Sequence, residues 1–214
     1  MRILRSSLVV AAAFTFTLAA QAPPAGQQGR GSGRGGGRGG GGRGQVQTMT
    51  LTTTAWPDGG LIPVKYTQAG PEVSPGIQWS GAPQTTVSYV LTFVDADTVT
   101  NGSTDGTLMW MLWNIPGKSN AIPQGLPDGF ELEDGTRQIS VSGARYRGPG
   151  APAAGPLHHY ILEIYALDAM LDVKVPQQGP QDPNPNAQTI RTSVMQAMSG
   201  HIRGKAAYFG LFHR

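Results

Sequence analysis

The sequence predicts an all-β fold, an antiparallel β-sandwich that carries one helix near its C terminus, and three observations predict it. From Val46 onward apolar residues recur with period two. Glycine and proline, 31 and 17 of 214 residues, punctuate those runs as turn formers do. Helical spacing is confined to one late segment.

Val46–Thr54 alternates weakly and opens the series. Thr86–Val94 is the clearest strand: Val87, Tyr89, Leu91 and Phe93 share one face, Ser88, Val90, Thr92 and Val94 the other, and both faces are apolar enough to be buried. Leu108–Ile115 is a second, with Met109, Met111, Trp113 and Ile115 expected on one face and Leu108, Trp110 and Leu112 on the opposite one. His159–Leu167 is a third. Asn186 can cap a helix in which Ile190, Val194, Ala197 and Met198 recur at helical spacing, and Gly200 ends it. A last strand, Ala206–Phe212, follows. The Gly/Pro-rich stretches Gly70–Gly76, Pro116–Gly129 and Gly148–Pro156 exceed hairpin length and are candidate site loops.

The N-terminal part differs in kind. Residues 1–22 are expected to be an export signal, because Met1–Arg5 carries two positive charges and Leu8–Ala20 is an apolar run that ends in small residues and is too short to span a bilayer. Residues 23–45 are expected to be a disordered linker: Gly26–Gly44 holds 12 Gly and four Arg and has almost no apolar area to bury. Arg-Gly tracts can bind RNA, but this one has no aromatic residue to stack a base and follows an export signal. No specific nucleic acid is expected; weak contact with anionic surfaces is the use four spaced arginines suit. Residues 46–214 form the folded domain. The formal charge of +3 belongs to the tail, since residues 45–214 carry 10 basic against 13 acidic side chains.

Cysteine is absent, which excludes disulfides, thiolate metal sites, cysteine nucleophiles and a lipidated-cysteine anchor. The acidic pair Asp95 and Asp97 closes the strongest strand, and alternation points the two side chains the same way; such a pair commonly caps a turn or meets a nearby cation. It does not continue as an EF-hand loop, because Val99 stands where a third acid is needed. His158 and His159 are adjacent and must face opposite sides of a strand, so they do not ligate one metal, while His158 and Tyr160 share a face. No Gly-x-Ser-x-Gly elbow, Ser-x-x-Lys pair or phosphate-cradling glycine motif occurs. Neither a metal nor a cofactor is implied.

Three ordered motifs carry a resemblance. Asp95-Ala96-Asp97, then Trp110-Met111-Leu112-Trp113-Asn114-Ile115-Pro116-Gly117, then Tyr146-x-Gly148-Pro149-x-x-Pro152-x-x-Gly155-x-x-His158-x-Tyr160 resemble the phosphatidylethanolamine-binding protein family in its bacterial Raf-kinase-inhibitor-like branch. Gly60-Leu61-Ile62-Pro63, Val73-Ser74-Pro75, Gln78-Trp79-Ser80-Gly81, Tyr165-Ala166-Leu167-Asp168 and Gly200-His201-Ile202 fall in the same order, and the resemblance covers about Leu51 to Arg214. It implies a β-sandwich with a small pocket for anions such as phosphate or a phospholipid headgroup. By the same resemblance Asp95 is the pocket carboxylate, Gly150 and Pro152 belong to the loop over it, His158 supplies an imidazole and Tyr160 lines the wall.

The chain departs from that pattern at Ala96, at His159 and, above all, at Met109, where the family carries a pocket histidine. A thioether has no N–H to offer. Either Met109 serves core packing or the pocket has lost a donor worth about 1.5–3 kcal/mol toward an anion. The expected function is a secreted, non-enzymatic module that binds a small anionic or phospholipid-like ligand. An acid/base hydrolase built on Asp95 and His158, and a protein inhibitor or signalling partner, are the alternatives.

Overall fold

A computed structural model describes residues 46–99, 104–174 and 186–214. The expected export signal and linker lie outside the described residues. Among the described residues ten strands, one α-helix and a short 3-10 turn of helix at Val64–Tyr66 make up the regular structure, which is the all-β architecture with a late helix that the sequence predicts.

Two short strands come first, β1 (Gln47–Thr48) and β2 (Thr50–Thr53), followed by β3 (Gly60–Leu61) and β4 (Ile77–Ser80). The two long central strands are β5 (Ser88–Asp95) and β6 (Thr107–Pro116). Short strands β7 (Ala121–Ile122) and β8 (Arg137–Ile139) lead to β9 (His158–Leu167). Helix α1 (Ala187–Met198) and strand β10 (Ile202–Phe212) close the chain.

The larger sheet runs β1-β10-β9-β5-β6-β8, with β3 also paired to β10, and β2-β4-β7 form a smaller one. Pairing is antiparallel except where β1 and β3 meet β10 in parallel. Burial explains why β5 sits at the centre. Tyr89, Leu91 and Phe93 enter an apolar cluster with Leu51, Ile77, Trp79 and Ile122 of the smaller sheet, while Val90 enters a second cluster with Ile190, Val194 and Met198 of α1. A strand covered on both faces needs apolar residues at every position, and each fully buried Leu or Phe contributes about 1.5–3 kcal/mol.

The helix begins where its cap does. The Asn186 side-chain oxygen accepts from the backbone N–H groups of Gln188 and Thr189 at 3.0 and 3.1 Å, and Gly200, at φ +85°, ends the segment after one further turn. Among the described residues no helix is long and apolar enough to cross a membrane.

Strict alternation fails in β6, and the failure matters for the site. Phe93 pairs with Trp110, but its neighbour Val94 pairs with Leu108, so Met109 is the extra residue of a β-bulge. A second irregularity separates the Tyr89–Ile115 and Leu91–Leu112 pairs and contains Asn114 at φ +57°. As a result Met109 and Ile115 join Trp110 and Leu112 in the first cluster, and Leu108 joins Met111 and Trp113 in the second. The expected grouping of Met109 and Ile115 with Met111 and Trp113 is corrected accordingly.

Candidate functional site

Where β5 ends, β9 begins, and their pairing sets Asp95 directly across from Tyr160. His158, two residues before Tyr160, lies on the same face of β9. Asp95 is thereby gathered with His158 and Tyr160, more than 60 residues later in sequence, at the end of the β5–β9 pair. Beside them is a cavity of about 170 Å³ lined by Gln68, Asp95, Thr98, Thr107, Met109, Arg147, Gly150–Pro152 and His158.

Asp95 and His158 form its polar floor. The His158 Nδ1 lies 3.1 and 3.0 Å from the two oxygens of Asp95, whose side chain is 5% exposed. An ionised carboxylate is an acceptor alone, so Nδ1 carries the proton and donates. Nε2 is then the ring nitrogen left for a ligand: in the neutral ring it accepts, in the protonated ring it donates. Asp95 Oδ1 also accepts the backbone N–H of Asp97 at 3.1 Å.

Asp97 itself points elsewhere. The strand stops at Asp95, the chain turns, and the Asp97 carboxylate accepts from the backbone and ring nitrogens of His159 on the exposed side. The two acids expected to point the same way thus serve two adjacent histidines that face apart. The backbone N–H of His159 holds the Asp97 carboxyl below the usual aspartate range.

Tyr160 acts from beneath the wall. Its ring is fully buried, and its hydroxyl accepts the backbone N–H groups of Gly150 and Ala151, each at 3.3 Å. Burial, and next the hydrogen bond and charge of Asp95, push the phenol far up, so it stays protonated and donates toward the carboxylate. These two loop amides are therefore engaged by Tyr160.

Of the three candidate loops, Gly148–Pro156 alone reaches this cavity, through Gly150, Ala151 and Pro152. In the other two, Ser74 Oγ accepts the Leu126 N–H at 2.8 Å, and the carbonyls of Pro127 and Gly129 accept from the Gln138 side chain, at 2.7 and 2.9 Å. Glu72 of the first of these loops also accepts the backbone N–H of Gly148, at 3.1 Å, and so braces the site loop from outside the cavity.

Five lining residues escaped the sequence reading, Gln68, Thr98, Thr107, Arg147 and Ala151, and two of them, Arg147 and Gln68, interlock. Arg147 stands between Tyr146 and Gly148, at a position the motif leaves open. Its backbone N–H donates to the Met109 carbonyl at 3.0 Å, while its guanidinium donates to Gln68 Oε1 at 3.1 Å and to Ser142 Oγ. Gln68 is seated by its own bonds to the loop, from its backbone N–H to Pro149 O at 2.9 Å and from Nε2 to Gly148 O at 2.8 Å. A Cβ on Gly150 would come within 2.3 Å of that Nε2, so glycine is what lets the amide pack there. The sequence signal for Arg147 was its place inside a motif, next to a core tyrosine: Tyr146 is buried, its hydroxyl donating to Tyr66 O at 2.8 Å, while Arg147 lines the cavity.

Met109 lies against the cavity and in the apolar core at once, since the bulge brings it to the pocket side of β6. Both uses raised by the sequence therefore meet in one side chain. Among the described residues no group of three or more His, Asp or Glu is arranged to hold a metal ion.

Comparison with known proteins gives a consistent result. The family model described as phosphatidylethanolamine-binding protein matches residues 52–213. A UPF0098 protein of Methanothermobacter thermautotrophicus is 35% identical over 164 residues, covering 76% of this chain and 97% of the relative. A phosphatidylethanolamine-binding protein homolog from Chlamydia trachomatis superposes with a TM-score of 0.61 at 25% identity, covering 79% of this chain and 99% of its own. The Escherichia coli protein YbcL shares the fold, with a TM-score of 0.58 at 21% identity and coverage of 78% and 98%. With the whole described domain matched and the family's motifs converging on one cavity, the chain belongs to the phosphatidylethanolamine-binding protein family.

Proposed function

We propose that this protein is an exported, non-enzymatic binding module whose cavity takes an oxyanion, as phosphate or a phospholipid headgroup. The observation that carries the reading is the clamp of His158 Nδ1 between both oxygens of Asp95, which orients the imidazole and leaves Nε2 toward the ligand. Arg147 supplies a fixed positive charge beside it. The apolar side of the cavity, Met109, Ala151 and Pro152, suits the uncharged part of an ester. The Thr98 hydroxyl is engaged within the protein, 2.6 Å from Thr107 Oγ1 and 3.2 Å from the Asp95 carbonyl, which suits a binding site more than a nucleophile poised on the imidazole. Export rests on the basic and apolar start of the chain and is checked by fractionating the native host.

Titration with phosphate and with phosphoethanolamine, followed at the His158 ring resonances, tests the reading. Shifts that saturate are expected; silence at millimolar ligand excludes anion binding. The Asp95–His158 pair is also what an acid/base enzyme would use. A hydrolase screen with His158→Ala as control decides between the two, and turnover that vanishes in the variant would replace the binding module with an enzyme.

A further inference from the structure

We propose that Arg147 reads the ligand's charge and biases the cavity toward a purely anionic headgroup, a phosphate or phosphomonoester, over a zwitterionic one that also carries an ammonium. The inference rests on the anion-binding reading of the same cavity and assigns its selectivity.

Three observations lead to it. First, the guanidinium is held by neutral partners, Gln68 Oε1 and Ser142 Oγ, and among the described residues Arg147 makes no ion pair. Its charge is not cancelled at contact, and two moorings leave most of its five N–H donors for an oxyanion, in the fork geometry that suits phosphate. Second, the backbone bond from Arg147 to Met109 starts the cationic side chain beside the thioether, so the wall that lacks a histidine has an arginine next to it. Third, Asp95 has little left for an ammonium. Its oxygens already accept from His158 and Asp97, its charge faces the Tyr160 hydroxyl, and its side chain is almost wholly buried. A ligand ammonium would meet a guanidinium without an ion pair, three apolar residues, an almost wholly buried carboxylate already bonded at both oxygens, and the neutral side chains of Gln68, Thr98 and Thr107, which offer no counter-charge to repay its desolvation.

The test is calorimetric titration of the full chain at matched ionic strength with inorganic phosphate, phosphoethanolamine and ethanolamine. Phosphatidylcholine vesicles with and without phosphatidic acid form a further arm. Phosphate binding at least as tight as phosphoethanolamine is expected, with a loss of about tenfold or more in Arg147→Gln and partial recovery in Arg147→Lys, which keeps the charge without the fork. Phosphoethanolamine binding about tenfold tighter than phosphate, or phosphate binding unchanged in Arg147→Gln, overturns the assignment while anion binding itself stands. Failure of phosphate, phosphoethanolamine and phosphatidic acid vesicles alike to bind removes the underlying reading and this one with it. Binding to phosphatidic acid vesicles without free phosphate binding identifies a lipid source, and the converse a soluble phosphoester; either outcome supports the charge preference. If Arg147→Gln does not fold, Gln68→Ala keeps the charge and removes one mooring. It must weaken phosphate by about threefold or more, and an unchanged affinity overturns the proposal.

Discussion

The phenol oxygen of Tyr160 holds the Gly150 and Ala151 amides from below, 3.3 Å from each, while its proton faces Asp95. One buried hydroxyl thus joins the pocket carboxylate to the loop above it. In Tyr160→Phe two loop N–H groups lose their acceptor, and a loss of about 1–3 kcal/mol in unfolding free energy is expected. The loop also loses its fixed position, so phosphate affinity should fall about three- to tenfold. Urea unfolding and phosphate titration of the same variant check both; an unchanged affinity would mean the loop does not need Tyr160 to bind.

Met109→His restores a donor at the bulge, on the pocket side of β6. A charge-assisted hydrogen bond is worth about 1.5–3 kcal/mol, so phosphate affinity should rise about tenfold or more. Calorimetry below pH 6.5, where an unperturbed histidine is largely protonated, reads the gain. No gain would show that residue 109 does not touch the anion.

Acid should weaken the fold partly through Asp97. Its folded-state carboxyl is held below the usual range, first by the His159 backbone N–H and further by the His159 side chain. A depressed folded value gives stability that is fully present above the unfolded value and lost as pH falls through it toward the folded one, from about pH 5 downward. Asp97→Asn keeps an acceptor but no longer titrates, so its denaturant midpoint should fall less steeply with acid. Asp168, held down by His201 and then by Arg203, acts with the same sign and leaves part of the slope. Equal slopes in both proteins would contradict the assignment.

Asn114 occupies the left-handed region at φ +57° and exchanges two hydrogen bonds with the backbone of Leu171, at 3.0 and 2.8 Å. Asparagine tolerates that conformation better than most residues. Asn114→Ala should cost about 2–3 kcal/mol through both bonds and the strained backbone. Asn114→Gly, which relieves the φ and loses only the side-chain bonds, should cost less. Paired urea unfolding curves distinguish them.

How far the sequence could be read follows from range. Period two placed Leu91 and Phe93 in the core, and helical spacing with a capping asparagine placed α1, because these signals are local. The convergence of Asp95, His158 and Tyr160 was legible through motif resemblance and face sharing. Met109 was assigned to the wrong face because a bulge depends on the partner strand, Val94 against Leu108, and leaves no trace in alternation. Asp97 was paired with Asp95 because a strand's last residue is not marked in sequence. The pairing of Arg147 with Gln68 was missed for a different reason: they meet across 79 residues by a side-chain contact that no periodicity encodes, and only the place of Arg147 inside a motif pointed to it.

The bulge in β6 makes the chemistry at the pocket wall a matter of count as much as of kind. Because Val94 faces Leu108 while Phe93 faces Trp110, the residue offered to the cavity is selected by where the strand accommodates its surplus unit. Shortening β6 by one residue at that point would abolish the bulge and present a different side chain with no other change in composition. A lineage could therefore exchange ligands by a single-codon deletion, a route that comparison of aligned letters alone would record as a gap.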